Sequence, residues 1–151
     1  MPVPNFTNPM LSRVAQGDIT IFEEGHDFTL IEFKDDQNWN ALIVASAKGH
    51  LNLVNRLLEI DEVRASAAAE DNFALVWAAR NGHLKVVNRL LEIDAVRANA
   101  VAVDNGALVG AAENGHLEVV NRLLEVDEVR AFVDSWPELL TTSGPSDIAT
   151  L

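Results

Sequence analysis

The sequence predicts an all-α solenoid of stacked helix pairs, and three observations lead to this fold class. The tripeptide Gly-His-Leu begins at Gly49, Gly82 and Gly115, a constant step of 33 residues. The similarity extends well beyond the tripeptide, because 22 of the 28 residues in 71–98 are identical to those in 104–131. Each copy also carries apolar residues at helical spacing. Such self-similarity indicates one supersecondary unit that buries its apolar face against its neighbours.

The composition fits a folded protein, with 151 residues of which 48% are apolar. The absence of cysteine excludes disulfides, thiolate metal ligands and cysteine nucleophiles. The N-terminus lacks the basic and apolar regions of a secretory signal, and the longest apolar run, 73–79, is too short to span a bilayer. We therefore expect a soluble, cytoplasmic monomer without a membrane partner, with delivery by a non-classical route left open.

The net charge of −12 is concentrated at the two ends of the repeats. Residues 1–36 and 103–135 each carry seven acids and two bases, whereas 37–69 has three of each and 70–102 has four of each. The simplest interpretation is that polar end units keep a solenoid soluble. The alternative is steering towards a protein partner with a basic rim. In both cases the basic face that a nucleic acid requires is missing.

The second unit, 71–103, shows the helices most clearly. Its compact apolar run ends at Asn81-Gly82, which predicts a first helix over about 72–81 with glycine as a left-handed cap. An apolar stripe at helical spacing then predicts a second helix from Leu84 to about Glu92. Both helices are shorter than the ~12–15 residues at which an isolated helix becomes marginally stable. Their stability must therefore come from stacking.

A 33-residue unit with two antiparallel helices, an Ala-Ala-x-Asn-Gly-His-Leu joint and a Val-Val-x-x-Leu-Leu second helix resembles the ankyrin repeat family. The resemblance is strong over 38–131 and weaker over 11–19, where the same joint indicates a capping unit. It implies one repeat domain over 1–151, divided into an N-terminal capping unit 1–37, full repeats 38–70, 71–103 and 104–136, and a stub and tail 137–151.

Departures from the family pattern alter the expected loops. The glycine after the second helix is replaced by Asp61 and its copies, and the loop glycine by Asn38, Asp71 and Asp104. In ankyrin repeats these glycines shape a β-hairpin finger, so no residue here is obviously available for a positive φ. The run 61–65 and its copies predict an extra helical turn in place of a strand, so we expect helix pairs joined by mostly irregular loops, with little or no sheet.

Two terminal segments complete the expected elements. Phe28–Phe33 is the one β-like stretch. Ser135-Trp136-Pro137-Glu138 predicts a capping-box start for a short helix that ends at Leu140.

Candidate chemistry is sparse. His50, His83 and His116 are copies of one position, so they should lie about one helix spacing, ~10 Å, apart, whereas zinc needs nitrogens about 2.0–2.1 Å from a single ion. We interpret them as bracing the joint between helices. No glycine-rich phosphate loop or Gly-x-Ser-x-Gly elbow is present, and His26-Asp27 is a lone pair. We expect no catalytic residue, metal or cofactor.

A ladder of Asn, Arg and Glu recurs on the second helices. Arg and Glu at i,i+3 form surface pairs worth a few tenths of a kcal/mol, so we interpret the ladder as a solvated face. It comprises Asn55, Arg56 and Glu59, with copies at Asn88, Arg89 and Glu92 and at Asn121, Arg122 and Glu125.

Positions that differ between copies carry the functional signal, because packing explains those that repeat. In ankyrin repeats, the loop before the first helix and that helix's outward positions line a concave protein-binding surface. Tryptophan and arginine dominate interface energetics, so we expect Trp39 and Arg80 at its centre. Carried over by position, the resemblance implies partner contacts from Trp39, Lys48, Asn72, Arg80, Asn81, Asn105, Glu113 and Asn114.

Trp77 and Phe73 stand where the next unit has Gly110 and Gly106. The simpler interpretation is steric compensation, in which Trp77 fills the space left by Gly110; exposure for binding is the alternative. We expect a non-catalytic module that binds a protein on its concave face. The rival hypothesis is a partnerless scaffold array, a fragment or regularised sequence, which should lack an exposed apolar patch. An enzyme would need a deep pocket with converging polar groups.

Overall fold

A computed structural model describes residues 9–18 and 40–135, and every regular element in these ranges is helical. The predicted β-like stretch Phe28–Phe33 and the predicted helix after Ser135 lie outside the described residues. The helices are α1 (Pro9–Ala15); α2 (Ala41–Lys48), α3 (Leu51–Leu58) and α4 (Asp61–Ala65); α5 (Ala69–Arg80), α6 (Leu84–Leu91) and α7 (Asp94–Ala98); and α8 (Ala102–Glu113), α9 (Leu117–Leu124) and α10 (Asp127–Ser135).

The all-α solenoid predicted from the sequence is confirmed. The second helix of the middle unit begins at Leu84 as expected, and the predicted extra turn over 61–65 is α4. One boundary differs from the prediction, because the first helix begins at Ala69 rather than at about residue 72. The last described helix, α10, ends at Ser135, whose hydroxyl donates to the carbonyl of Phe132 at 2.8 Å within the last helical turn.

The helices form two layers. The first helices α2, α5 and α8 pack side by side, and the second helices α3, α6 and α9 form the other layer. Buried alanines line the first layer and let its backbones approach closely, whereas buried leucines hold the second layer farther apart. Because the first helices pack more closely than the second helices, we expect the stack to curve towards them, and we call them the concave layer. The alanines include Ala74, Ala78, Ala107 and Ala111, and the leucines Leu57, Leu90 and Leu123.

A left-handed glycine joins the helices of each pair. Gly49 has a φ of 76° and ends α2. Its N–H donates to the carbonyl of Ser46, and the His50 N–H donates to that of Ala45 at 3.0 Å, which satisfies carbonyls at the end of the helix. Gly82 and Gly115 repeat this conformation with φ of 78° and 75°.

The histidine of each following unit lies over the glycine of the unit before it. His83 Nε2 lies 3.0 Å from the carbonyl oxygen of Ala47, and His50 Nε2 lies 2.9 Å from that of Ala15. Since a carbonyl only accepts, Nε2 carries the proton in both. A Cβ placed on Gly82 would come within 2.5 Å of His116 Nδ1. The histidines therefore brace successive units together, as well as starting their own second helices.

Asparagine supplies the positive φ that no residue was expected to provide. Asn72 and Asn105 each have a φ of 62°, so that prediction is wrong. Asparagine tolerates this region because its short polar side chain bonds to nearby backbone. The Asn72 amide donates to the carbonyls of Val96 at 3.0 Å and Asn99 at 3.1 Å. It thus ties the start of α5 to the end of α7.

Candidate functional site

One stripe of α5 is left partly exposed on the concave layer. Phe73, Val76, Trp77 and Arg80 are half-buried, while Ala74, Leu75, Ala78 and Ala79 between them are buried. The half-buried residues follow the spacing i, i+3, i+4 and i+7, so they share one helix face. We call these four residues the α5 stripe. Its two aromatic side chains pack against the core on one side, so they are neither wholly core nor wholly surface.

The neighbouring first helices carry smaller side chains at the positions equivalent to the aromatic residues of α5. In α8, Gly106 and Gly110 replace the two aromatic residues of α5. In α2, the equivalents of the stripe are Asn40 and three buried aliphatic residues, and the Asn40 side chain accepts the Ile43 N–H at 2.9 Å as an N-cap. The aromatic side chains of α5 are therefore flanked by smaller residues in the helices on both sides.

Arg80, rather than Trp77, lies closest to Gly110. A Cβ on Gly110 would lie 3.3 Å from Arg80 Cβ and 3.4 Å from Arg80 Cγ. The prediction that Trp77 fills the space left by Gly110 is therefore wrong. Gly110 therefore faces Arg80, which lies about one helical turn beyond Trp77, the residue equivalent to Gly110 in the preceding repeat. The Arg80 guanidinium lies over Trp77, with 5.6 Å from its carbon to the ring centroid, within the range of a cation–π contact.

The predicted polar contacts separate into surface and interior positions. Lys48 and Arg80 are half-buried, and Glu113 is exposed, each at the end of a first helix. Asn81 and Asn114 are exposed next to them. The Asn81 amide donates to the carbonyl of Ala47 at 2.8 Å, and the Asn114 amide donates to the carbonyl of Gly110 at 2.7 Å. These five residues line one edge of the concave layer.

Two of the predicted contacts are wrong, and a third cannot be assessed. Asn72 and Asn105 are only 1% and 0% exposed, because each is buried where the chain takes a positive φ. They therefore cannot touch a partner on this surface. Trp39, at the equivalent position of the first repeat, lies outside the described residues. Of the α5 stripe, Arg80 was predicted as a contact, and exposure for binding was the alternative for Trp77 and Phe73. The grouping of the four residues on one face was not predicted, although their i, i+3, i+4, i+7 spacing in the sequence could have revealed it.

The ladder on the second helices is a set of ion pairs at the surface, as predicted, although Arg89 and Arg122 are half-buried. Arg56–Glu59, Arg89–Glu92 and Arg122–Glu125 have N–O distances of 2.9, 3.0 and 3.5 Å. The ladder also links the units, which the spacing did not predict. Arg89 Nε donates to Asn55 Oδ1 at 3.0 Å, and Arg122 Nε donates to Asn88 Oδ1 at 2.8 Å.

The titratable groups form no cluster that could hold a metal ion within residues 9–18 and 40–135. Burial lowers the pKa of His83, and the neighbouring imidazoles His116 and His50 lower it further, while its hydrogen bond to the Ala47 carbonyl opposes these effects. In the same ranges, no helix is long and apolar enough to span a membrane.

Comparison with known families agrees with this architecture. The family model described as ankyrin repeats (three copies) matches residues 19–100 and 65–132, which together cover most of the chain. No curated protein is significantly similar in sequence.

Proposed function

Because the chain belongs to the ankyrin repeat family, we propose that it is a protein-binding module whose partner contacts the concave layer at the α5 stripe. Ankyrin repeats are generally protein–protein interaction modules, and the family is typically non-enzymatic. The concave surface and its contact residues are the specific part of the proposal.

The α5 stripe is the observation that carries the proposal. It presents Phe73, Trp77 and Arg80 on one helix face in the middle of the stack, and aromatic residues and arginine are the anchors that most often dominate interface energetics. Because α8 has Gly106 and Gly110 at the positions of Phe73 and Trp77, the aromatic side chains of α5 project beyond the adjacent surface of α8. A partner side chain can therefore pack beside it.

Charged residues at the ends of the first helices lie along one edge of this centre. Lys48 and Arg80 are basic and Glu113 is acidic, so the edge of the surface changes sign along the stack. The excess of acids in 1–36 and 103–135 supports a partner with a basic rim, since complementary charge speeds and orients association. We keep Lys48, Asn81, Glu113 and Asn114 as peripheral contacts, and Trp39 as a further contact.

A partnerless structural array is the second candidate, and one observation favours it. Leu117, at 42% exposure, is the single large hydrophobic residue classed as exposed in the described part of the chain, and it lies outside the concave layer. The concave aromatics are only half-exposed. An array without a partner would show this low apolar exposure.

Capture from a lysate of the native host separates the two candidates. The immobilised chain should retain a protein that the double variant Trp77→Ala, Arg80→Ala does not, and Trp39→Ala should retain less of it. Arg89→Ala is the matched control, because it removes the same charged side chain from the other layer. Equal recovery by the wild type and the double variant, or loss of recovery in Arg89→Ala alone, would contradict binding at the α5 stripe.

A further inference from the structure

The C-terminal end of the third repeat lacks contacts that every earlier repeat makes. Gly17, Gly49 and Gly82 each have the imidazole of the following unit within 4 Å of the position a Cβ would occupy. Gly115 has the same left-handed conformation, but among the described residues nothing lies within 4 Å of that position. We call the space beside each left-handed glycine the histidine socket. It is filled by an imidazole at the three earlier glycines, whereas no described residue fills it at Gly115.

An apolar side chain is exposed beside the open socket. Leu51 and Leu84, the equivalents of Leu117 in the earlier repeats, pack against the core. Leu117 is instead 42% exposed. It borders an open cleft of about 330 Å³ whose lining includes Gly115, His116 and Glu118. The repeat that would cover this leucine has no counterpart among the described residues.

A buried asparagine at the same end also differs from its copy. Within residues 9–18 and 40–135, neither amide atom of Asn105 has a hydrogen-bond partner, although its equivalent Asn72 donates to two carbonyls at the end of α7. α7 ends at Ala98, whereas α10 continues to Ser135. The carbonyls equivalent to the Asn72 acceptors, those of Val129 and Phe132, therefore lie inside a helix. The Phe132 carbonyl accepts the Ser135 hydroxyl.

These three observations concern one end of one repeat. We propose that this end docks a basic helical hairpin of another protein, which presents a histidine to Gly115 and an apolar side chain to Leu117. If α10 shortened to the length of α7 during docking, the carbonyls of Val129 and Phe132 would become available to accept hydrogen bonds from the Asn105 amide. This surface is separate from the α5 stripe, so the proposal does not depend on binding at the concave layer.

Charge and sequence favour this occupant over two others. Residues 103–135 carry seven acids and two bases, which attract a basic partner. The N-terminal end of a second copy is equally acidic, and it offers Asp18 at the position of the histidine. The chain's own segment 137–151 contains no histidine and is interrupted by Gly144-Pro145.

A basic decapeptide with the sequence of residues 80–89, Arg-Asn-Gly-His-Leu-Lys-Val-Val-Asn-Arg, tests the proposal. It carries the histidine turn that occupies the Gly49 socket in the folded chain. At low ionic strength and millimolar peptide, we expect amide NMR shifts of the full chain at Gly115, Leu117 and Glu118, with the occupied socket at Gly49 unchanged. A peptide with alanine in place of histidine should bind several-fold more weakly.

A matched pair of charge variants completes the experiment. Glu118→Gln, at the cleft, should weaken peptide binding, whereas Glu59→Gln, on the exposed face of the first repeat, should not. Absence of shifts at Gly115, or equal binding of the alanine peptide, overturns the proposal. Concentration-dependent Gly115 shifts without peptide would assign the end to a second copy, and nuclear Overhauser contacts from Leu139 or Leu140 to Leu117 would assign it to the chain's own tail; either result also overturns it.

Discussion

Arg80 lies across both Trp77 and Gly110. Its guanidinium carbon is 5.6 Å from the centre of the Trp77 ring, and its Cβ is 3.3 Å from the position a Cβ on Gly110 would occupy. Both the aliphatic part and the guanidinium of the Arg80 side chain are therefore held by contacts with neighbouring residues. A side chain that is already ordered loses less conformational freedom on binding, where each immobilised side chain otherwise costs about 0.5–1.5 kcal/mol. The contact therefore prepares the centre of the proposed binding surface.

Gly110→Leu should disturb this arrangement. The new side chain would compete with the Arg80 stem and overpack the α5–α8 interface, at a cost of about 1–3 kcal/mol in the free energy of unfolding. Urea denaturation measures the loss. An unchanged urea midpoint would show that Arg80 moves aside freely and is not held by α8.

Asn72→Gly and Asn105→Gly should differ, although the two residues are copies of one position. Glycine preserves the positive φ in both. Asn72→Gly removes two hydrogen bonds to backbone carbonyls, so it should lower the free energy of unfolding by about 1–3 kcal/mol. Asn105→Gly removes an amide that has no hydrogen-bond partner in the described part of the chain, and it should be neutral or stabilising. Equal losses in urea denaturation would contradict the hydrogen-bond assignment.

Gly82→Ala and Gly115→Ala separate backbone strain from contact with the next histidine. Both place a side chain at positive φ, which costs about 1–2 kcal/mol. Only the alanine at residue 82 also meets an imidazole, that of His116. Gly82→Ala should therefore lower the urea midpoint more than Gly115→Ala. If the Gly115 variant were equally destabilised, the socket at that end would already be filled.

His83 should make the protein less stable in mild acid. Its pKa is lowered, chiefly by burial, from the ordinary 6.5. Below that value the unfolded chain takes up a proton that the folded chain resists, so this contribution to stability is complete above pH 6.5 and is lost as the pH falls towards the folded pKa. The urea midpoint should decrease between about pH 7.5 and about pH 5.5.

The variant His83→Gln is the control for that prediction. Glutamine does not titrate, so the decrease in the urea midpoint should be smaller in the variant. If the wild type and the variant lost stability in parallel, other groups would be responsible for the pH dependence.

The features that could be predicted from the sequence are those that depend on a single helix or on the joint between the two helices of one pair. The apolar stripe after Leu84 and the left-handed Gly82 determine the helix pair locally, and the run 61–65 has the helical turn expected of it. The relation between Trp77 and Gly110 could not be predicted in this way. Alignment of the copies shows which positions are equivalent, whereas contacts between units depend on the axial shift between helices.

The same limit explains why Asn72 and Asn105 were wrongly predicted to contact a partner. Asn72 and Asn105 vary from the residue of the first repeat, Trp39, and variation suggested a binding role. Their positive φ and burial arise within the first turn of α5 and α8, which only the folded chain shows. A variable position is therefore free to serve function only where it is also exposed.

Calorimetric titration of a purified partner into Arg80→Ala and Arg89→Ala tests the central claim most directly. The two substitutions are chemically identical and differ only in the helix layer that carries them. Binding at the α5 stripe predicts that Arg80→Ala weakens affinity by about 1–2 kcal/mol or more, as for an interface anchor, while Arg89→Ala leaves it unchanged and the melting temperature of Arg80→Ala stays close to that of the wild type. Full affinity in Arg80→Ala together with a loss in Arg89→Ala would place the binding surface on the second helices and contradict the account.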